Sequence, residues 1–354
     1  MNTRTVTFDQ LTKEEIAAWS TIQRDTPTFS SPFFRPEFTQ AIAAVRKNVE
    51  VAVLEKDRVP VGFFPYERMR RNHGLPVGTR LSDFHGVIAP QSVHFKPNEL
   101  VRSCGLASWT FDHLVSARSS FDKFTFRHAD SPYADLSQGY ESYASRFHKT
   151  FRTELRRRQR KLESEFGPLR LEMNEQDPSI LSTLIDWKIA QYERTKTLNI
   201  LGFPWVRDLL EGLRDFRSQD FKCVMPVLYA GDKVLAIAYL LQSGNLWHSW
   251  FSAYDREQGK KSPGMILKVN TLMRAASIGI AQYHMGKGPE EYKLRYQSNA
   301  IRLCEGVVDP TPLKASARSA WWTVREGIRS TPLRSVLQRP ARMMYDLRGW
   351  LALK

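Results

Sequence analysis

Trp247–Lys268 reads WHSWFSAYDREQGKKSPGMILK, and this stretch decides the architecture. Trp247–Tyr254 is apolar and aromatic and reads as a strand. A polar turn carrying Lys260 and Lys261 follows. Ser262-Pro263-Gly264 then opens a helix, with Pro263 at the first position, where its missing N–H costs nothing. A helix start exposes unpaired N–H groups and the positive end of the dipole, which together favour phosphate. Lys260 and Lys261 add charge, and Gly264 allows close approach to the backbone. With Ser262, Pro263 and Met265 they form a candidate cradle that suits the pyrophosphate of an acyl-CoA. The same residues also describe an ordinary Ser-capped helix with a solvated lysine pair.

Outward from this unit, the second half alternates strands and helices. Leu169–Met173 is a strand, and Ile180–Thr195 and Pro204–Phe216 are helices. Phe221–Tyr229 and Lys233–Leu241 are strands about Gly231-Asp232, followed by Asn245–Tyr254. Pro263–Ile278 is a helix, and Gln282–Met285 and Ile301–Val308 are the last strands. The first half has the same order. Arg4–Phe8 is a strand, Lys13–Arg24 a helix capped by Thr12, and Pro36–Val45 a second helix. Val49–Glu55 and Val59–Tyr66 are strands about the turn Lys56-Asp57-Arg58. Thr79–Ala89 is a third strand, interrupted by Ser82-Asp83-Phe84-His85-Gly86. Between the halves, Tyr143, Phe147, Phe151 and Leu155 recur every four residues, which predicts one long helix over Tyr140–Phe166. Gly167-Pro168 ends it. The expected fold is α/β, with layered α+β domains over 1–140 and 169–310. A basic helix over 141–168 joins them, and a basic amphipathic tail covers 311–354.

The chain has 354 residues, which favours two cores, and 42% apolar content is ordinary for a folded protein. Cys104, Cys223 and Cys304 are few and far apart, which argues against a disulfide framework or a metal site and for a reducing compartment. The first ten residues lack an apolar core, and the longest apolar run, Val234–Leu241, is far short of a bilayer span. A cytoplasmic protein is expected. The net charge is +15, which implies acidic partners. Arg146–Glu165 holds eight Lys/Arg against three Glu, and Thr311–Lys354 holds nine against two acids.

A second segment, Tyr283–Tyr296 (YHMGKGPEEYKLRY), packs polar groups beside a glycine-rich turn. Lys287 and Lys293 are candidate substrate ligands there. Trp187, Lys188, Gln191 and Tyr192 combine two aromatics with polar partners on one helix, which suits a sugar or nucleotide; for Trp187, core packing is the rival. Asp83 and His85 place a carboxylate beside an imidazole in a strand break, as a candidate base or ligand, or as a turn Asp and a surface His. His248 shares a strand face with Trp250 and reads as a core histidine.

The segments WFSAYDREQGKKSPG, YHMGKGPEEYK and WKIAQYERT resemble the CelD-like (cellulose-biosynthesis-type) acetyltransferases. These belong to the GNAT superfamily and are related to the FemAB-like transferases. SPFFRPEFTQAI at Ser31–Ile42 and the basic helix with Phe151, Arg152, Leu155 and Arg156–Arg158 also fit. The resemblance spans roughly Pro32–Asp309. It implies two tandem GNAT-like domains, acyl-CoA as donor, no metal, and work on surface polysaccharide. It implies direct attack on the thioester, with Tyr254 or Tyr292 protonating the leaving thiolate. The family often has Asp after the Gly-x-Gly. This chain has Pro289, so the acidic function would fall to Glu290 or Glu291.

The acceptor is then a small molecule or glycan, with Asp83, His85, Lys188, Tyr192 and Lys293 expected around one cleft. An aminoacyl-tRNA donor, held by the basic helix, is the first alternative; nucleic acid is otherwise not an expected partner. A non-catalytic assembly factor at the membrane is the second. The tail mixes Trp321, Trp322 and Trp350 with arginines, and suits either an anionic membrane surface or packing on the body.

Overall fold

The computed structural model describes residues 2–310, other than 117, 174, 176 and 289, and residues 347 and 349–354. The chain divides into two compact units: Met1–Asp130 with the chain from Ile301 onward, and Ser131–Ala300.

In the first unit, β1 (Asn2–Val6), β2 (Val49–Lys56) and β3 (Val59–Met69) are successive antiparallel neighbours. β4 (His73–Leu75) pairs antiparallel with β3 and parallel with β5 (Ser108–Val115). Helices α1 (Lys13–Asp25) and α2 (Pro36–Val45) lie between β1 and β2 in sequence, and α3 (Pro97–Ser103) precedes β5. Local chemistry sets the ends. Thr12 and Glu15 form a reciprocal cap, with Thr12 Oγ1 accepting from Glu15 N and Glu15 Oε2 from Thr12 N. Asp57 and Arg58 both take positive φ, at 54° and 66°, the geometry of a two-residue hairpin turn. Trp19 of α1 is fully buried, stacks on Phe63 at 4.9 Å, and donates to the Phe34 carbonyl at 2.8 Å.

The strand expected over 79–89 does not form. Thr79–Leu81 is one 3-10 turn, and the residues after it make isolated bridges, Phe63 with Ile88 and His85 with Leu114. This segment is an extended plug where β3 and β5 part. The true third strand, β4, has three residues, too few to show a period.

The second unit repeats the wiring. β7 (Leu169–Glu172), β9 (Val227–Ala230), β10 (Lys233–Ser243) and β11 (Leu246–Tyr254) are successive antiparallel neighbours. β11 then pairs parallel with β12 (Gln282–His284). Helices α6 (Pro178–Thr195) and α7 (Pro204–Asp215) follow β7, and α8 (Pro263–Ser277) links β11 to β12. β8 (Phe221–Val224) pairs with the far end of β10. The single strand expected over 221–229 is thus two, because Pro226 has no N–H for the ladder.

The expected helix over 140–166 is also two, α4 (Gly139–Ala144) and α5 (Lys149–Phe166), with His148 accepting from Thr150 N at 3.3 Å to start the second. The stripe still packs: Tyr143 and Phe147 are buried, and Phe151 and Leu155 rest on the same core beside fully buried Leu162. The basic helix therefore falls inside the second unit, beside a short α9 (Glu291–Tyr296).

Each run of strands continues into a strand from the other half of the sequence. β6 (Thr125–Asp135) pairs antiparallel with β12, and β13 (Asn299–Val308) pairs antiparallel with β5. Cys104, Cys223 and Cys304 are buried free thiols. Among the described residues, no helix is long and apolar enough to cross a membrane.

Candidate active site

β11 and β12 are paired only over Leu246–His248 and Gln282–His284. Past His248, β11 continues to Tyr254 and the two strands part. On its other side β11 slips against β10: Ser249 faces Leu240 and Phe251 faces Tyr239, so Trp250 has no partner in the register. This is a β-bulge at the point of separation, and a bulge takes backbone groups out of the ladder and re-aims them.

A pocket opens here, with about 330 Å³ of empty space, part of it open to solvent. Ser249, Ser252 and Tyr254 line it from β11, and Gly264, Lys268 and Thr271 from α8. Tyr254 is 45% exposed, at the rim. A Cβ on Gly264 would sit 3.3 Å from the Tyr254 ring, so a larger residue here would press on that ring.

The helix start forms the mouth. Ser262 takes a left-handed φ of 52° and its side chain does not cap α8. Arg158 of α5 reaches the turn instead: its guanidinium donates to the Lys260 carbonyl at 3.0 Å and to Ser262 Oγ, and pairs with Glu154 at 2.6 Å. Lys260 is exposed. Lys261 is held away, paired with Glu165 and donating to Gln258 at 2.7 Å. Lys260 is thus the exposed cation at the helix start, and Arg158 stands there with Lys261, each already paired with a carboxylate. Pro263 and Met265 occupy the first turn of α8.

Deeper in, Lys268 lies over Tyr283, Tyr292 and Tyr296 at 5.3–5.8 Å from the ring centroids. Desolvation, with the charge of Lys293 added, pushes its ammonium down to about 8. Lys293, a candidate substrate ligand, is buried. Its ammonium donates to the carbonyls of Gly286 at 3.3 Å and Lys287 at 2.9 Å, and pairs with Glu290 at 3.0 Å. It fastens the glycine turn, where Gly286 and Gly288 take φ of 73° and 137°. Lys287 is half-buried on that turn, and Tyr292 is 51% exposed. Glu291 opens α9, and its side chain, like Pro289, lies outside the described residues.

On α6, Lys188, Gln191 and Tyr192 come together as expected. Lys188 donates to Gln191 Oε1 at 3.1 Å and lies 4.9 Å from the Tyr192 ring centroid, and burial pushes it down to about 8. Trp187 is half-buried beside them. His248 and His284 are paired core histidines with rings 6.0 Å apart, and burial holds His284 well below the usual imidazole range.

Asp83 and His85 belong to the first unit. His85 is 6% exposed, and its Nε2 accepts from the backbone N–H groups of Asp112 at 3.2 Å and His113 at 3.0 Å. That nitrogen is thereby the unprotonated one of a neutral ring. Asp83 is half-buried in the plug.

Arg158, Lys268 and Thr271 were missed in the sequence. Arg158 reaches its partners across 104 residues, which no local pattern reveals. Lys268 and Thr271 left a faint signal: a lysine between Leu267 and Val269, then a threonine one turn on, in an otherwise apolar helix.

Residues 149–294 match the acetyltransferase (GNAT) domain family. No curated protein matches the sequence. Among solved structures, FemX superposes with a TM-score of 0.59 at 10% identity, over 90% of this chain and 99% of that one. A conserved protein of unknown function from Bacteroides thetaiotaomicron gives 0.53 at 9% identity, over 83% and 97%. The C-terminal domain of an Agrobacterium fabrum protein described as a lysylphosphatidylglycerol synthetase gives 0.51 at 10%, over 89% and 96%. At these identities the likeness speaks to fold alone. The parted parallel strands, the bulge of β11 against β10 beside them and the helix start agree with the family match over residues 149–294, which fold as a GNAT-type domain.

Proposed function

We propose that this protein transfers an acyl group, acetyl in the simplest case, from a CoA thioester to an amine or hydroxyl of a sugar, nucleotide-sugar or polysaccharide precursor. The observation that carries the donor is the mouth of the pocket. The start of α8, exposed Lys260 and the guanidinium of Arg158 gather at one turn, beside the gap between β11 and β12. A helix start with added cations is a phosphate site. Backbone N–H groups released at the Trp250 bulge polarise the thioester carbonyl. Tyr254, at the rim, returns a proton to the departing thiolate as the acceptor oxygen or nitrogen bonds the carbonyl carbon and the C–S bond breaks. The sugar acceptor rests on the resemblance to CelD-like acetyltransferases and on the Trp187, Lys188, Gln191 and Tyr192 group. Asp83, Glu291, Tyr292 and Lys287 stay in this reading as candidates on the acceptor side, whereas His85, with its Nε2 taken by two backbone N–H groups, is read as structural.

A second reading, an aminoacyl-tRNA donor, is favoured by the exposed Arg152, Arg156, Arg157 and Arg160 on α5. Turnover assays decide between the two. Thiol release from acetyl-CoA with amino-sugar acceptors supports the first; transfer from charged tRNA alone overturns it.

The tail over 311–354, outside the described residues but for its end, is proposed to touch an anionic membrane. Arg46 donates to the carbonyls of Ala352 and Leu353 at 3.0 and 3.2 Å, so the end itself is tied down. Equal sedimentation with anionic vesicles of the full chain and a chain ending at Pro310 would remove the membrane role.

A further inference from the structure

The floor of the pocket has an unsatisfied chemistry. Lys268 has no hydrogen bond or ion pair among the described residues, and the charged group that acts on it is another cation, Lys293. Thr271, one turn along α8, is 1% exposed, and its hydroxyl has no partner among the described residues. Both line the pocket, and among the described residues its wall contains no carboxylate. A buried hydroxyl without a partner and a desolvated ammonium without a counter-ion are each costly. The tyrosine rings behind Lys268 offset part of this through cation–π attraction, and they leave the ammonium without an oxygen acceptor.

We propose that Lys268 and Thr271 form a carboxylate-binding subsite, so that one of the two substrates carries a carboxylate. The word substrate here rests on the acyltransferase reading; the subsite itself does not. A carboxylate has two acceptor oxygens, one for the ammonium and one for the hydroxyl. A phosphate, with more oxygens and more charge, is better served at the helix start, where Lys260 and Arg158 stand. The depressed Lys268 fits: an ammonium held near 8 is one that a bound anion restores. The carboxylate has two sources, a dicarboxylyl group on the donor or an acidic acceptor.

Calorimetry on the full chain separates them. If the donor carries it, succinyl-CoA binds at least about tenfold tighter than acetyl-CoA, a gap of about 1.4 kcal/mol, and Lys268→Met erases the gap. If the acceptor carries it, the two thioesters bind alike, while malonate raises the melting temperature of the protein with CoA present, and Lys268→Met or Thr271→Val abolishes the rise. Thr271→Val keeps shape, and the binding of CoA itself reports whether each variant is folded. The subsite is overturned if neither succinyl-CoA nor malonate shows preference, or if the preference persists in both variants. Failure of the acyltransferase reading looks different: no CoA ester binds, yet malonate alone stabilises the wild type and not Lys268→Met.

Discussion

The two units are wired alike and treat the same place oppositely. Each runs strand, two helices, an antiparallel pair, a further strand, a helix and a parallel strand. In each, the parallel pair is short and the strands then part. In the second unit the gap holds a pocket with a lysine and a hydroxyl that have no hydrogen-bond partner among the described residues. In the first it holds the chain itself. Phe63 and Ile88 exchange two hydrogen bonds at 2.8 Å, His85 N donates to the His113 carbonyl at 3.1 Å, and Phe84, Val87, Ile88 and Ala89 are buried. The helix after the gap differs too, with 7 residues in α3 and 15 in α8. A gap in a sheet leaves polar backbone that needs partners. One unit supplies them from its own sequence; the other leaves them beside a pocket.

The largest effect expected from this contrast is at the open gap. Reversing both charges at the mouth, with Arg158→Glu and Lys260→Glu, lowers acyl-CoA affinity roughly 100-fold, measured by calorimetry. Lys261→Glu sets a like charge against Glu165 and changes CoA affinity little. An equal loss from Lys261→Glu would move the phosphate site along the turn.

The plugged gap responds in stability. His85→Ala strips the acceptor from two backbone N–H groups, at about 1–3 kcal/mol for each buried orphan, and lowers the melting temperature by several degrees. Turnover by the folded fraction stays the same. Lost turnover at an unchanged melting temperature would make His85 catalytic and break the contrast.

The smallest effect is in pH. Lys268, near 8 when folded, is half charged at about pH 8 and almost fully charged a unit or more below it, so carboxylate affinity is greatest on the acid side. It falls as pH rises through 8, by at most about tenfold per unit. Lys293, Tyr283, Tyr292 and Tyr296 face it from β12 and α9; burial raises Tyr283 and Tyr296 above the ordinary phenol range, out of this window. A flat profile, or the same fall in Lys268→Met, would assign the titration elsewhere, with Lys188 the first candidate.

What the sequence revealed was whatever local chemistry controls. The Thr12 cap, the Asp57-Arg58 turn, the Pro36 and Pro263 helix starts and the Phe151–Leu155 stripe are each decided within a few residues, and each is where it was expected. Long-range partners were not legible. His85 interrupts an apolar run, as a catalytic break would, but its imidazole closes on the backbone of β5. Lys293 follows a glycine turn, as a ligand-binding lysine would, but its ammonium folds back on that turn. The His85 ring is turned by backbone 27 and 28 residues away, and Lys293 by carbonyls six and seven residues back; residue type and spacing show neither direction.

The continuation of each run of strands into a strand from the other half has a consequence for synthesis. As the chain leaves the ribosome, β5 emerges long before β13, its antiparallel neighbour from Asn299–Val308. An exposed strand edge is a template for mispairing. β6, by contrast, is made early and waits for β12. Nascent chains halted near residue 280 would therefore lack the neighbours of both β5 and β6, and are the stage at which this protein most needs a chaperone.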